Sequence, residues 1–107
     1  LAQRALDEAA ARVPVLWAAN FSLGVALLAA LARQAAAAVP DWDCEIIETH
    51  HRRKQDAPSG TALRLGEAIA AGRGQQLDAI ARHGREGAHA PRIAGELGFH
   101  AVRGGDV

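Results

Sequence analysis

Side chains that can exchange protons are concentrated in one stretch of this 107-residue chain. His50 and His51 are adjacent, and Lys54 follows them within the same basic run. Histidine has the ordinary pKa nearest neutrality, and lysine can release a proton when burial or neighbouring cations lower its pKa. These three residues therefore place titratable protons together, as a general-acid site requires.

The residues that follow favour an anion as the ligand. Pro58, Ser59, Gly60 and Thr61 come next, in an order typical of a chain that enters a helix. Ser59 can cap the helix, and Gly60 lets a ligand approach the main chain. The unpaired N–H groups of a first helical turn, with the positive end of the helix dipole, bind carboxylate or phosphate. The stretch predicts an anion site beside proton donors; a solvated basic loop before a capped helix is the alternative that these residues leave open.

Three predicted elements would position this stretch. The Ile content and partial alternation of residues 44–50 predict a strand that delivers the two histidines at its exit, where their side chains diverge. Residues 59–71 predict a helix that begins at the anion site and ends at a glycine pair. Residues 22–39 predict a second, strongly apolar helix that is buried on more than one side.

The remainder of the chain predicts shorter elements. Residues 75–82 favour a short helical turn, and residues 83–94 are rich in Gly, Arg, His and Pro, which indicates a loop over the site. Residues 96–103 predict a last strand, followed by a turn at Gly104-Gly105-Asp106. A further strand would begin at Val107, so we expect the chain to be cut within an element at this end.

The first residues also indicate an interrupted fold. Residues 1–12 have the pattern of an amphipathic helix, and residues 13–19 are a short apolar run typical of a strand buried in a parallel sheet. Such a strand needs neighbours that this chain does not supply. We therefore expect a fragment of a longer protein.

Composition narrows the classes of function. The formal net charge is zero and the pI is about 7.2, whereas proteins that grip nucleic acid through its phosphates carry a basic excess. The single cysteine, Cys44, excludes an internal disulfide and indicates a packed small side chain. The spacing of His, Cys and carboxylate residues matches no metal site. No signal peptide opens the sequence, and Arg33 interrupts its most apolar segment, so we expect a soluble chain that binds neither nucleic acid nor membrane.

Three segments in the same order resemble the 4-hydroxy-tetrahydrodipicolinate reductase family, also called dihydrodipicolinate reductase. They are residues 18–25, with the sequence AANFSLGV, residues 48–62, with ETHHRRKQDAPSGTA, and residues 95–106, with GELGFHAVRGGD. Together they span most of the chain. One departure is Ala26, which stands where we would expect Asn in this family motif and weakens the case for a polar contact there.

The resemblance implies an α+β fold. The substrate and oligomerisation domain would have a mixed sheet with covering helices, preceded by the last helix and strand of a Rossmann-type dinucleotide-binding domain. Residues 1–19 would then end the dinucleotide-binding domain, and residues 20–107 would form the substrate domain, truncated at its C-terminus. The family would also place the protein in the cytoplasm as a homotetramer.

The resemblance further implies roles for particular residues. His50 would give or take a proton, and Lys54 would be a second proton donor. NADH or NADPH would supply hydride, with four residues on the cofactor side: Ala18, Ala19, Asn20 and Phe21. A cyclic dicarboxylate would be the substrate, held by four further residues: His51, Ser59, Gly60 and Thr61.

Two functions follow as expectations. The first is a reductase of lysine and diaminopimelate synthesis that reduces 4-hydroxy-tetrahydrodipicolinate to tetrahydrodipicolinate. This chain alone would be inactive, because it has no Gly-rich phosphate loop to hold a dinucleotide. The second is a non-catalytic α/β module for oligomerisation or anion binding, whose basic loop only binds phosphate or sulfate.

Overall fold

A computed structural model of the chain describes residues 2–18, 20–88 and 91–106. These residues form helices and a small sheet. The helices are α1 (Ala2–Ala10), α2 (Leu23–Ala38), α3 (Gly60–Gly72) and α4 (Leu77–Ile80). The strands are β1 (Cys44–His50), β2 (Ala81–His83) and β3 (Leu97–Arg103).

The three strands form one parallel sheet in the order β1-β3-β2. Cys44 lies opposite Leu97 at one end of the β1–β3 pair, and His50 lies opposite Arg103 at the other. The carboxyl ends of β1 and β3 therefore meet at the same edge, the usual place for ligands in open parallel sheets. The expected α+β class is confirmed. All strands in the described ranges pair in parallel, so the antiparallel part of the expected mixed sheet does not lie among them.

Helices α2 and α3 pack against each other and cover one face of the sheet. The buried core joins α2 and α3 to β3, and its members are Ala36, Ala62, Ile69, Leu97 and Phe99. Small side chains on the helices let the two backbones approach, while the larger apolar groups come from β3. This packing fixes the start of α3 against the sheet.

Serine caps begin both long helices, and the cap at Ser59 was predicted from the sequence. The Ser22 hydroxyl accepts a hydrogen bond from the N–H of Val25 at 3.4 Å, and the Ser59 hydroxyl accepts one from Ala62 at 3.2 Å. Such caps satisfy N–H groups that have no acceptor inside the helix. Helix α3 ends before Gly74, which has a φ of +67° that glycine adopts without strain.

Strand β1 alternates between two environments. We call the side covered by α2 and α3 the helix face, and Cys44 and Ile46 pack against the core there. Glu48 and His50 follow at the same period of two. The opposite side, the outer face, begins with Glu45 and includes the exposed Ile47.

The predicted strand at residues 13–19 is wrong for the part that the structure describes. Residues 13–18 have no regular secondary structure, and Leu16 and Trp17 are 78% and 73% exposed. A strand of a parallel sheet is held by its neighbours, and none lies beside this run in the described ranges. Ala19 lies outside the described residues. Helix α1 agrees with the amphipathic pattern that precedes the run.

Strand β2 was missed. The helical turn expected within residues 75–82 is present as α4, but β2 occupies three residues that the sequence assigned partly to that turn and partly to the following loop. Three residues are too few to show a period of two. The strand forms because Ala81 and His83 pair with β3. The last predicted strand is confirmed as β3.

Among the helices of the described ranges, none is both long enough and apolar enough to cross a bilayer.

Candidate functional site

The site begins at the carboxyl end of β1, where Glu48 and His50 lie on the helix face. Nδ1 of the His50 ring lies 2.6 Å from Oε2 of Glu48. A carboxylate can only accept hydrogen bonds, so this contact places a proton on Nδ1. His51 follows the strand and accepts a hydrogen bond on its own Nδ1 from the N–H of Arg53 at 3.1 Å. The two adjacent rings therefore have opposite hydrogen-bonding roles at Nδ1, as their divergence on a strand predicted.

Glu48 is the centre of this region. Its carboxylate accepts two hydrogen bonds from Arg103, at 2.8 and 2.9 Å, and one from the N–H of Ser59 at 3.0 Å. With His50, these donors occupy both carboxylate oxygens. The Arg103 hydrogen bonds lower the pKa of Glu48 to about 2, with His50 and the Ser59 N–H also contributing. We call Glu48, Arg103, His50 and Ser59 the helix-face cluster.

Ser59 is fully engaged at the start of α3. Its N–H donates to Glu48, its hydroxyl accepts from Ala62, and the residue is 3% exposed. The Ser59 N–H therefore has an acceptor within the protein, and the substrate contact expected of Ser59 stays a prediction. Gly60 and Thr61 come next, and the helix itself offers their N–H groups no acceptor. The anion-binding capacity of this helix end therefore rests on Gly60 and Thr61.

Lys54 joins the same network through the loop that follows β1. Its Nζ donates to the Asp56 carboxylate at 2.8 Å, and its side chain is 21% exposed. The Lys54 hydrogen bond holds the pKa of Asp56 below its ordinary value. The backbone oxygen of Asp56 accepts a hydrogen bond from Arg103 at 2.8 Å. A continuous chain of contacts therefore runs from Lys54 through Asp56, Arg103 and Glu48 to His50.

Among the residues expected on the cofactor side, Asn20 contacts α3. Its Nδ2 donates to the Thr61 hydroxyl at 3.1 Å, and its Oδ1 accepts from the N–H of Ser22 at 2.6 Å. The amide thus links the start of α2 to the first turn of α3. Ala18 is half-buried and Phe21 is exposed. Ala19 lies outside the described residues.

Neither Arg103 nor Glu48 was among the predicted site residues. The strand pattern of the sequence contains a clue to each residue. Glu48 precedes His50 by two residues, so a strand places both on one face. Arg103 ends the last strand, and parallel pairing puts it opposite His50. Finding Arg103 required the register of two strands that are distant in sequence.

A second ionic cluster lies on the outer face. The Glu45 carboxylate accepts from Arg85 at 2.9 and 3.1 Å, from Arg92 at 2.9 Å, and lies 2.7 Å from Nε2 of His100. The Arg85 hydrogen bonds lower the pKa of Glu45 to about 2, with smaller contributions from His100 and Arg92. We call these four residues the outer-face cluster. It attaches Arg85 and Arg92, which belong to the predicted loop after β2, to the sheet.

Arg92 extends these attachments. It also donates to the Asp43 carboxylate at 2.8 Å and to the backbone oxygens of Cys44 and Glu96 at 3.0 and 2.6 Å.

Neither cluster resembles a metal site: within the described ranges, no group of three or more His, Cys, Asp and Glu side chains is arranged to hold an ion.

Comparisons with a family model and with curated proteins point to the same family. The family described as "Dihydrodipicolinate reductase, C-terminus" matches residues 24–107. A protein of Caulobacter vibrioides named 4-hydroxy-tetrahydrodipicolinate reductase is 53% identical over 104 residues, which cover 95% of this chain and 40% of that protein. Proteins of the same name from Zymomonas mobilis and Granulibacter bethesdensis are 56% and 53% identical, over 95% and 98% of this chain and 41% of each relative. The chain therefore spans about two-fifths of the length of these curated relatives.

Proposed function

Because the chain belongs to the dihydrodipicolinate reductase C-terminal family, we propose that it forms the substrate-binding part of a reductase. The whole protein would reduce 4-hydroxy-tetrahydrodipicolinate to tetrahydrodipicolinate in lysine and diaminopimelate synthesis. The conversion adds one hydride and one proton to the substrate and releases water. This chain would hold the dicarboxylate and supply the proton.

One observation carries the proposal: a single carboxylate, Glu48, contacts both the His50 ring and the N–H of Ser59. A titratable ring is thereby attached to the N-terminal end of a 13-residue helix. The N–H groups of Gly60 and Thr61 at that end, for which the helix supplies no acceptor, suit a carboxylate. A proton donor beside a carboxylate site is the arrangement that the reaction requires.

The roles of the site residues follow from this arrangement. His50 gives or takes the proton, and Lys54 is a second proton donor at the other end of the network. Gly60 and Thr61 bind one substrate carboxylate, with His51 as a further contact. Ser59 contributes by fixing the helix end through Glu48 and Ala62.

The cofactor would be NADH or NADPH, whose bound form supplies the hydride. Residues 18–21 suit a contact with its nicotinamide ring, because the described members of this run have no regular secondary structure and Asn20 touches Thr61. A planar group beside Asn20 would therefore lie next to the substrate end of α3. Ala18, Ala19, Asn20 and Phe21 are the proposed contacts.

Exposed apolar side chains support the larger assembly that we propose. Leu16 and Trp17 are exposed in the first segment, as are four leucines of α2: Leu23, Leu27, Leu28 and Leu31. Apolar surface of this extent usually contacts other protein. Residues 1–19 would belong to a dinucleotide-binding domain and residues 20–107 to the substrate domain, in a cytoplasmic homotetramer.

The first test measures ligand preference with this chain. Pyridine-2,6-dicarboxylate carries two carboxylates on a planar ring, whereas sulfate offers only charge. Calorimetric titration of both ligands should show at least about tenfold tighter binding of the dicarboxylate, which corresponds to about 1.4 kcal/mol. Equal, weak binding of both would support a non-catalytic anion-binding module and contradict the reductase proposal.

The second test measures turnover in a chimera, in which this chain replaces the aligned segment of the Caulobacter vibrioides relative. His50→Gln or Lys54→Ala should lower kcat by about 100-fold or more, the scale of lost general acid–base help. His100→Gln is the matched control, because this ring also contacts a glutamate but lies on the outer face. Near-normal turnover of both the His50 and the Lys54 variants would remove these residues from the mechanism.

A further inference from the structure

We propose that Glu48, held by Arg103, is a positioning residue that fixes the tautomer and orientation of the His50 ring. This inference rests on the proposed function, because it assigns the proton-exchanging atom of the same site. Glu48 would act through His50 without touching the substrate. Its role would be to keep Nδ1 protonated and leave Nε2 as the nitrogen that exchanges a proton with the ligand.

The contact between Glu48 and His50 supports the tautomer. At 2.6 Å, Oε2 of Glu48 is within hydrogen-bond distance of Nδ1. The carboxylate is ionised at neutral pH, because the Arg103 hydrogen bonds lower its pKa to about 2. An ionised carboxylate has no proton to offer, so Nδ1 must donate. In the neutral ring, Nε2 is then the unprotonated nitrogen.

Arg103 prevents the carboxylate from turning. Its two terminal nitrogens bind the two oxygens of Glu48 separately, at 2.8 and 2.9 Å, which is the forked geometry that arginine offers and lysine lacks. The same nitrogens also donate to the backbone oxygens of Val102 and Asp56, both at 2.8 Å. The guanidinium is therefore fixed independently of Glu48.

Backbone hydrogen bonds also fix the position of His50. His50 is paired with Arg103 in the sheet, and the N–H of Gly104 donates to the His50 carbonyl at 3.1 Å. The Ser59 N–H binds the second oxygen of Glu48. The ring, the carboxylate and the start of α3 therefore hold one fixed arrangement, so that Nε2 keeps a constant position relative to Gly60 and Thr61.

A glutamine at position 48 would reverse this arrangement. Its single carbonyl oxygen can serve Ser59 and one Arg103 nitrogen, which leaves the NH₂ group facing Nδ1 of His50 and the other Arg103 nitrogen. An NH₂ group donates, so Nδ1 would become an acceptor and the neutral ring would carry its proton on Nε2. Glu48→Gln therefore changes the tautomer with almost no change in side-chain shape.

The experiment observes the His50 ring directly in the 107-residue chain. Two-bond ¹H–¹⁵N correlation spectra above pH 8 distinguish the two neutral tautomers. We expect the Nδ1–H form in the unsubstituted chain and the Nε2–H form in Glu48→Gln. Glu45→Gln is the matched control and should leave His50 unchanged, because Glu45 lies on the outer face. An Nε2–H ring in the unsubstituted chain would overturn the inference, and this measurement needs no variant to fold.

Turnover of the chimera separates positioning from a purely structural role. Glu48→Gln should lower kcat by about 100-fold, similar to His50→Gln, while KM changes by less than about threefold. The double variant should be no slower than His50→Gln alone, because both substitutions remove one function. Additive losses would overturn the positioning role. The tautomer is measured without cofactor or substrate, so failure of the reductase proposal would appear separately, as normal turnover of His50→Gln.

Discussion

Glu45 and Glu48 lie on opposite faces of one strand and have closely similar surroundings. Each carboxylate is bound by arginine and contacts one histidine, at 2.7 Å for His100 and 2.6 Å for His50. Each has a pKa of about 2. Composition and charge alone would therefore not distinguish the two clusters.

The two clusters differ in the elements that they join. The fourth donor to Glu48 is the N–H of Ser59, at a helix end whose next two N–H groups have no acceptor inside the helix. The donors to Glu45 are Arg85, Arg92 and His100, and the two arginines bind further acceptors in the same region. The outer-face cluster thus fastens a segment to the sheet, whereas the helix-face cluster joins a titratable ring to an anion site. The contact with the backbone at the start of α3 therefore distinguishes the candidate site, because the ionic contacts of the two clusters are alike.

The largest expected effect tests whether the clusters are equivalent in energy. Glu48→Gln and Glu45→Gln should each lower the free energy of unfolding at neutral pH by roughly 2–3 kcal/mol, since one pKa unit corresponds to about 1.4 kcal/mol and partial exposure reduces the total. Each folded-state pKa, about 2, lies below the ordinary value of 4.5. The stabilisation is therefore complete above pH 4.5 and is lost as the pH falls towards 2.

Urea unfolding measured by circular dichroism at several values between about pH 2 and 6 checks this expectation. The unsubstituted chain should lose stability through the acid range, and each glutamine variant should show a shallower loss. Glu67→Gln is the control, because Glu67 is exposed on α3. If only one of the two variants were less stable, the clusters would differ in energy as well as in position.

The second expectation concerns redundancy among the arginines. Glu48 is bound by one arginine, whereas Glu45 is bound by Arg85 and Arg92. Arg103→Gln should therefore raise the pKa of Glu48 by about 1 or more, and Arg85→Gln should raise that of Glu45 by less, because Arg92 remains. Carboxyl ¹³C shifts followed through an acid titration measure both values. Equal rises would show that Arg92 does not substitute for Arg85.

Much of the fold could be predicted, because local patterns determine it. Strand β1 has the predicted bounds, and α3 begins after the predicted Ser59 cap. The strand predicted for residues 13–19 is absent from residues 13–18, because an apolar composition identifies a strand only when neighbouring strands pair with it. Strand β2 was too short to have a period.

The candidate site was predictable only in part, for a related reason. The basic run and the helix start are contiguous, so His50, Lys54 and Gly60 could be recognised together. Arg103 lies far along the chain and reaches Glu48 only through the register of β1 with β3. The engagement of the Ser59 N–H likewise depends on a strand residue outside the helix. Tertiary pairing, which no local pattern encodes, decides these contacts.

The smallest expected effect comes from Gly98, which lies opposite Glu45 in the neighbouring strand. A Cβ atom at this position would overlap the Glu45 carboxylate, so Gly98→Ala should displace that carboxylate from its arginines without removing a charge. We expect the pKa of Glu45 to rise by about 0.5 and that of Glu48 to stay near 2, with a stability change below about 1 kcal/mol. Gly104→Ala is the control, because a Cβ atom there meets nothing within 4 Å. A rise at Glu48 as well would mean that the two clusters communicate through β1, and the separation of the two faces would then be incorrect.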